Sequence, residues 1–140
     1  MTNQKAFVLD GSVTMAWYFV DELNPYADSV LSDLESGRAV VPSLWPLEVA
    51  NTVLVGERRK RSTEAQATAW LAILDTLSIE VDRETTSHAW RGTLALARSQ
   101  NLSAYDAAYL ELAMRRGLPL ATLDGKLKNA ALAVGVSIYG

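Results

Sequence analysis

The sequence predicts an α/β protein, a three-layer α/β/α sandwich with a central parallel sheet. The first observation is five apolar runs of three to five residues, at 5–9, 39–41, 79–81, 119–123 and 136–139, which read as strands. The second is that longer amphipathic stretches opened by helix-capping residues separate most of them. Strands alternating with helices make βαβ units, and such units enclose a parallel sheet between helical layers. Length agrees: 140 residues suit one domain spanning 1–140, and with 49% hydrophobic residues the chain has enough apolar surface for a core.

The first strand, 5–9, is stopped by Asp10-Gly11, and Ser12 is the expected cap of a short helix through Phe19. Asn24 followed by Pro25 marks the start of a second helix, which Gly37 ends. Pro42 closes the second strand. Ser43 is expected to begin a long helix carrying Leu44, Leu47, Val49, Leu54 and Val55 to a basic cluster. Ser62 or Thr63 is expected to cap a fourth helix, with Gln66 in the capping-box position for Thr63 and Trp70, Leu71, Leu74 and Leu77 on its stripe. Residues 85–99 are expected to be helical. Ser103 then caps a helix reaching Arg115-Arg116 and Gly117, and Asp124-Gly125 separates the fourth strand from a last short helix at 126–134.

Composition excludes several chemistries. There is no cysteine, so disulfide frameworks, thiolate nucleophiles and cysteine zinc sites are out. A single histidine, His88, rules out paired-histidine metal sites and reads as a packing or surface residue. Trp45, Trp70 and Trp90 sit at helical positions suited to core or interface. The four-residue apolar run at 6–9 falls short of the about 7–15 residues of a signal h-region. No run approaches the about 20 apolar residues of a membrane span, so a cytoplasmic protein without membrane contact is expected.

The formal charge of −3 argues against binding nucleic acid by bulk positive charge. Its distribution is uneven. Residues 1–57 carry eight acids and two bases, and residues 58–140 eight acids and eleven bases. Arg58, Arg59, Lys60 and Arg61 form the densest cluster. With Arg115, Arg116, Lys126 and Lys128 they are the candidate phosphate contacts.

Four acids form the candidate site. Asp10 and Asp124 each follow an apolar strand, and open parallel sheets bind ligands beyond the carboxyl ends of their strands. An Asp before Gly is also ordinary turn chemistry. Asp106 and Glu48 lie on helices among apolar neighbours, where a carboxylate is costly to bury without a cation or strong donors. Singly, each has a plain structural reading: a capping box for Asp106, an edge ion pair for Glu48. Glu57 and Glu111, elsewhere around the same helices, read as solvated. Jointly, clustered carboxylates repel and call for a hard divalent cation. Oxygen ligands without Cys or paired His point to Mg²⁺ or Mn²⁺ and to phosphodiester hydrolysis by a metal-activated water.

These residues carry a resemblance. The segments Phe7-Val8-Leu9-Asp10-Gly11-Ser12-Val13, Pro46-Leu47-Glu48-Val49-Ala50-Asn51, Leu102-Ser103-Ala104-Tyr105-Asp106-Ala107-Ala108-Tyr109 and Leu120-Ala121-Thr122-Leu123-Asp124-Gly125-Lys126-Leu127 resemble the PIN-domain nucleases, and among them the VapC-type toxins of bacterial toxin–antitoxin pairs. They span nearly the whole chain in the family's order. The resemblance implies a catalytic set of Asp10, Glu48, Asp106 and Asp124. Of these, Asp10, Asp106 and Asp124 would hold the metal, and Glu48 would hold a second ion or orient the attacking water. It implies hydroxyl support from Ser12 and Thr122, with Asn51 one layer outside the acids. It also implies RNA as substrate, a homodimer, and a cognate VapB-type antitoxin whose tail blocks the site. The chain departs from the family at Gly11, where Ala, Thr or Ser is commoner, and at Ala16, where a basic residue is usual. Trp17-Tyr18-Phe19 is placed near the site mouth, with an RNA base or an antitoxin side chain as the expected contact. A phosphoaspartyl hydrolase also starts with Asp after its first strand, but it needs a second acid where this chain has Ser12. The remaining alternatives are a PIN-like binding partner without activity and an RNA-processing nuclease outside any toxin–antitoxin pair.

Overall fold

A computed structural model describes residues 5–19 and 23–140. Along the chain run β1 (Ala6–Leu9), α1 (Gly11–Tyr18), α2 (Pro25–Asp33), β2 (Arg38–Val41), α3 (Trp45–Arg58), α4 (Glu64–Leu74) and β3 (Ile79–Val81). There follow α5 (Thr85–His88), a π-helical turn (Ala89–Thr93), α6 (Leu94–Gln100), α7 (Ala104–Arg116), β4 (Leu120–Ala121) and α8 (Gly125–Ala133).

All strand pairings are parallel, in the order β3-β2-β1-β4. Successive residues of β1 point to opposite faces, yet Phe7, Val8 and Leu9 are all excluded from solvent. Both faces of the sheet are therefore covered, as the expected sandwich requires. β1 is central. The chain steps from β1 to β2 on one side and later returns to β4 on the other, so the topological switch lies between β1 and β4.

The capping grammar is borne out at Asn24, Thr63 and Ser103, whose side chains accept N–H groups of Ala27, Gln66 and Asp106. The Thr63–Gln66 box is complete. Two expected caps are corrected. Asp10, not Ser12, caps α1, because its carboxylate reaches the Ser12 N–H. Ser43 does not begin α3, which starts at Trp45-Pro46 behind Leu44; the Ser43 N–H goes instead to the Thr85 hydroxyl at 3.0 Å.

The fifth strand, expected at 136–139, is reduced to one parallel bridge between Leu120 and Ile138. Its backbone still pairs, Leu120 N–H donating to Ser137 O and Tyr139 N–H to Leu120 O. β4 is only two residues long, so the tail has little strand to pair with. The helix expected at 85–99 forms with a π-turn in its middle, and Trp90 on that turn is 91% exposed, not core.

Candidate active site

Asp10 leaves the end of β1 straight into the first turn of α1, and only 4% of it is exposed. Its Oδ1 accepts the Ser12 N–H and the Ser12 hydroxyl, each at 2.5 Å, and its Oδ2 accepts the Thr122 hydroxyl at 2.6 Å. The same two hydroxyls receive backbone N–H groups from the β4–α8 connection. Leu123 N–H donates to Ser12 Oγ at 2.9 Å, and Asp124 N–H to Thr122 Oγ1 at 3.0 Å. Ser12 and Thr122 thus clamp the two turns that meet at the switch point. Burial pushes the Asp10 carboxyl up from its ordinary range, and the Ser12 and Thr122 hydrogen bonds act against that.

Asp124 does not follow its strand directly, since β4 ends at Ala121. It caps α8, accepting the Lys126 N–H at 3.0 Å. Glu48 lies in the first turn of α3, half-buried, and accepts the Tyr109 hydroxyl. Burial raises its pKa; Tyr109 opposes the rise, and the charges of Asp106 and Asp10 add to it. Asp106 lies in the first turn of α7, where Ser103 takes its N–H at 3.1 Å. Its pKa is raised by burial first and then by Asp124, while Ser103 and Lys126 pull it down. Asp10 and Asp106 therefore act on Glu48, and Asp124 on Asp106, and the four lie at one end of the sheet.

Among the described residues, no three acidic or histidine side chains are arranged to hold one ion jointly. Asp10 already spends both oxygens on Ser12 and Thr122. The donor set nevertheless fits a hard cation: all oxygen, with Asp10, Glu48 and Asp106 pushed up by burial, Glu48 further by Asp106 and Asp10, and Asp106 further by Asp124.

Tyr109 is a site residue that motif reading left without a role. The available signal was its position, three residues after Asp106 on the buried stripe of α7, because a buried tyrosine hydroxyl needs a partner. Thr14 and Trp45 form a second unforeseen brace. The Trp45 indole N–H donates to Thr14 Oγ1 at 3.0 Å, and Thr14 Oγ1 donates to the Asp10 carbonyl at 3.1 Å.

The basic candidates divide. Arg58, Arg59, Lys60 and Lys126 are exposed. Arg61 lies with its guanidinium carbon 4.0 Å from the centre of the Phe19 ring. Arg115 and Arg116 are committed elsewhere. Arg115 forms a two-bonded pair with Asp82, at 3.1 and 2.7 Å, and also bonds Glu111; Arg116 bonds Glu80. Both sit at the C-terminal end of α7, opposite Asp106. Glu111 is only 7% exposed, which corrects its reading as a solvated acid, and His88 faces it at 3.9 Å. Of the aromatic trio, Trp17 and Tyr18 are buried and Phe19 remains half-exposed. Asn51 is exposed one turn along α3 from Glu48.

The profile of the PIN domain matches residues 7–132. The chain belongs to the PIN-domain family. Ribonuclease VapC3 of Pyrobaculum aerophilum is 29% identical over 120 residues, covering 86% of this PIN domain and 90% of that protein. The crystal structure of PAE2754 from Pyrobaculum aerophilum superposes with a TM-score of 0.61 at 18% identity, over 91% of this chain and 84% of that one. VapC20 of Mycobacterium tuberculosis, described as a sarcin–ricin loop cleaving toxin, superposes with a TM-score of 0.62 at 17% identity, over 96% and 98% of the two chains. At those identities the two structures speak for a shared fold. In this PIN domain the four motif acids fall at the switch point of that fold.

Proposed function

We propose that this PIN domain is a metal-dependent endoribonuclease and the toxin of a VapBC-type toxin–antitoxin pair. The observation that carries the reading is the buried Asp10 carboxylate at the switch point, electrostatically coupled to Glu48, with Asp106 and Asp124 alongside. The likeness to a ribonuclease over most of both chains supports the reaction class. The cofactor is Mg²⁺ or Mn²⁺, which when bound supplies an acidified water and neutralises phosphate charge.

The chain's own residues do the rest. Asp10 and Asp124, each in a turn fixed by backbone N–H groups, would hold the ion directly or through water, and Asp106 would complete the set. Glu48, held through one oxygen by Tyr109, orients the attacking water; its raised pKa suits a group that accepts a proton. Lys126, Arg58, Arg59 and Lys60 face the phosphates. An RNA substrate, a VapB-type antitoxin, a homodimer and a cytoplasmic setting complete the proposal.

The test is incubation of the purified protein with total RNA and Mg²⁺ or Mn²⁺, with and without chelator, beside Asp10→Asn and Asp124→Asn. Cleavage lost under chelation and in both variants is expected, together with growth arrest on expression that the same substitutions relieve. Cleavage that survives chelation sinks the metal mechanism, and absence of any cleavage by the native protein sinks the nuclease reading.

A further inference from the structure

Beside the acids lies a small pocket of about 210 Å³ lined by Phe19, Asn51, Thr52, Val55, Gly56, Arg59 and Arg61. We propose that it seats one unpaired base of the RNA, next to the nucleotide whose phosphate is cut. The proposal rests on the ribonuclease reading and adds a base-selecting subsite to it.

Placement is the first support. Glu48, Asn51, Thr52 and Val55 are spaced three and four apart, so they share one face of α3. At 1.5 Å rise per residue, the α3 lining begins about 5 Å along the helix from Glu48, at Asn51, and reaches about 12 Å at Gly56, so its near end is one nucleotide away from Glu48. Thr52 joins the two sites physically: it lines the pocket while its hydroxyl donates to the Glu48 carbonyl at 3.0 Å.

Construction is the second. Lys60 takes a left-handed φ of +58°, which reverses the chain after α3 so that the Arg61 N–H returns to Gly56 O at 2.8 Å. That reversal lays the Arg61 guanidinium over the Phe19 ring, giving a flat wall preset by cation–π contact. Gly56 is what lets Phe19 lie against α3. A Cβ there would come within 3.2 Å of the ring and 2.9 Å of Ser62 Oγ.

Chemistry is the third. Aromatic rings and guanidinium planes are the surfaces on which splayed RNA bases stack. The Asn51 amide carries both a donor and an acceptor, the pattern needed to read a base edge. Arg59 at the rim supplies charge for the adjoining phosphate. The volume lies below the about 300–1,000 Å³ of drug-sized ligand sites, which suits a single base.

The experiment uses short single-stranded RNAs carrying 2-aminopurine at each position around the mapped cut, bound to the cleavage-deficient Asp10→Asn protein with Mg²⁺. Severalfold quenching at one flanking nucleotide is expected, and it should fade in Asn51→Ala and Gly56→Ala versions. In the otherwise native enzyme, Asn51→Ala should relax the base preference at that position and raise KM roughly ten-fold, the size of one lost base contact. Circular dichroism and melting temperature check the folding of both variants. RNA cleaved by the native protein, with no quenching at any position and an unchanged preference in Asn51→Ala, overturns the subsite and leaves the ribonuclease reading standing. Failure of the native protein to cleave RNA removes both. Lost antitoxin pairing in these variants, with base preference kept, assigns the pocket to a protein partner and also overturns the subsite.

Discussion

The Tyr109 hydroxyl donates to Glu48 Oε1 across 61 residues of sequence. The bond ties the first turn of α3 to α7, and it joins one motif acid to the helix that carries another, Asp106. A hydrogen bond to an ionised group is worth about 1.5–3 kcal/mol. Tyr109→Phe keeps the ring in its buried place and removes only that bond. We expect kcat to fall roughly ten-fold with little change in KM, and the loss to shrink when Glu48→Gln is already present, as coupled groups behave in a double-mutant cycle. Equal losses in both backgrounds would break the link.

Carboxyl crowding at the switch point has a cost in the metal-free protein. Asp10, Glu48 and Asp106 all have raised pKa values, mainly through burial. Without metal, Asp10→Asn should therefore melt higher than the native protein at neutral pH. Saturating Mg²⁺ or Mn²⁺ should reverse the order, because only the native set gains binding energy. Thermal melts in the four conditions decide it, and four equal values would mean that the acids do not form one site.

Acid stability draws on a carboxyl outside the site, Asp82. Its buried carboxylate is held below the ordinary range, first by the Arg115 hydrogen bonds and with help from Thr85. A depressed pKa contributes stability that is present above the unfolded value, near 4, and lost as pH falls through the folded one. Unfolding followed from pH 5 downward should show that loss, and Asp82→Asn should flatten it. Arg115→Leu removes both guanidinium bonds from the buried Asp82 and leaves it Thr85 at 3.0 Å and Arg116 at 3.9 Å, so it should cost less than the about 3–5 kcal/mol of a fully broken buried pair.

Gly11 is a position where the structure does not require glycine. A Cβ there would meet only the flexible Met15 Cε at 3.3 Å, with Glu48 Oε1 and Tyr109 OH both at 3.9 Å. Position 11 opens α1. Gly11→Ala should raise stability by about 0.5–1 kcal/mol through the usual helix advantage of alanine, and leave RNA cleavage within two-fold, about the ratio expected from so small a shift of Met15. A large activity loss would show that Met15 cannot yield.

Read alone, the sequence determined the alternation of strands and helices, the caps at Asn24, Thr63 and Ser103, and the four motifs with their acids. These are local properties. Apolar period, cap chemistry and motif spacing act within a few residues and survive without knowledge of the rest of the chain. Tertiary structure decided what depends on contacts between distant segments. It closed the clamp on Asp10, because the Thr122 hydroxyl reaches Asp10 Oδ2 only when β4 lies beside β1. It gave Tyr109 its partner, drew Arg115 and Glu111 into the pairing around Asp82, and reduced the fifth strand to a bridge. A buried polar group must find a partner, and which one it finds is set by the neighbours that folding brings to it.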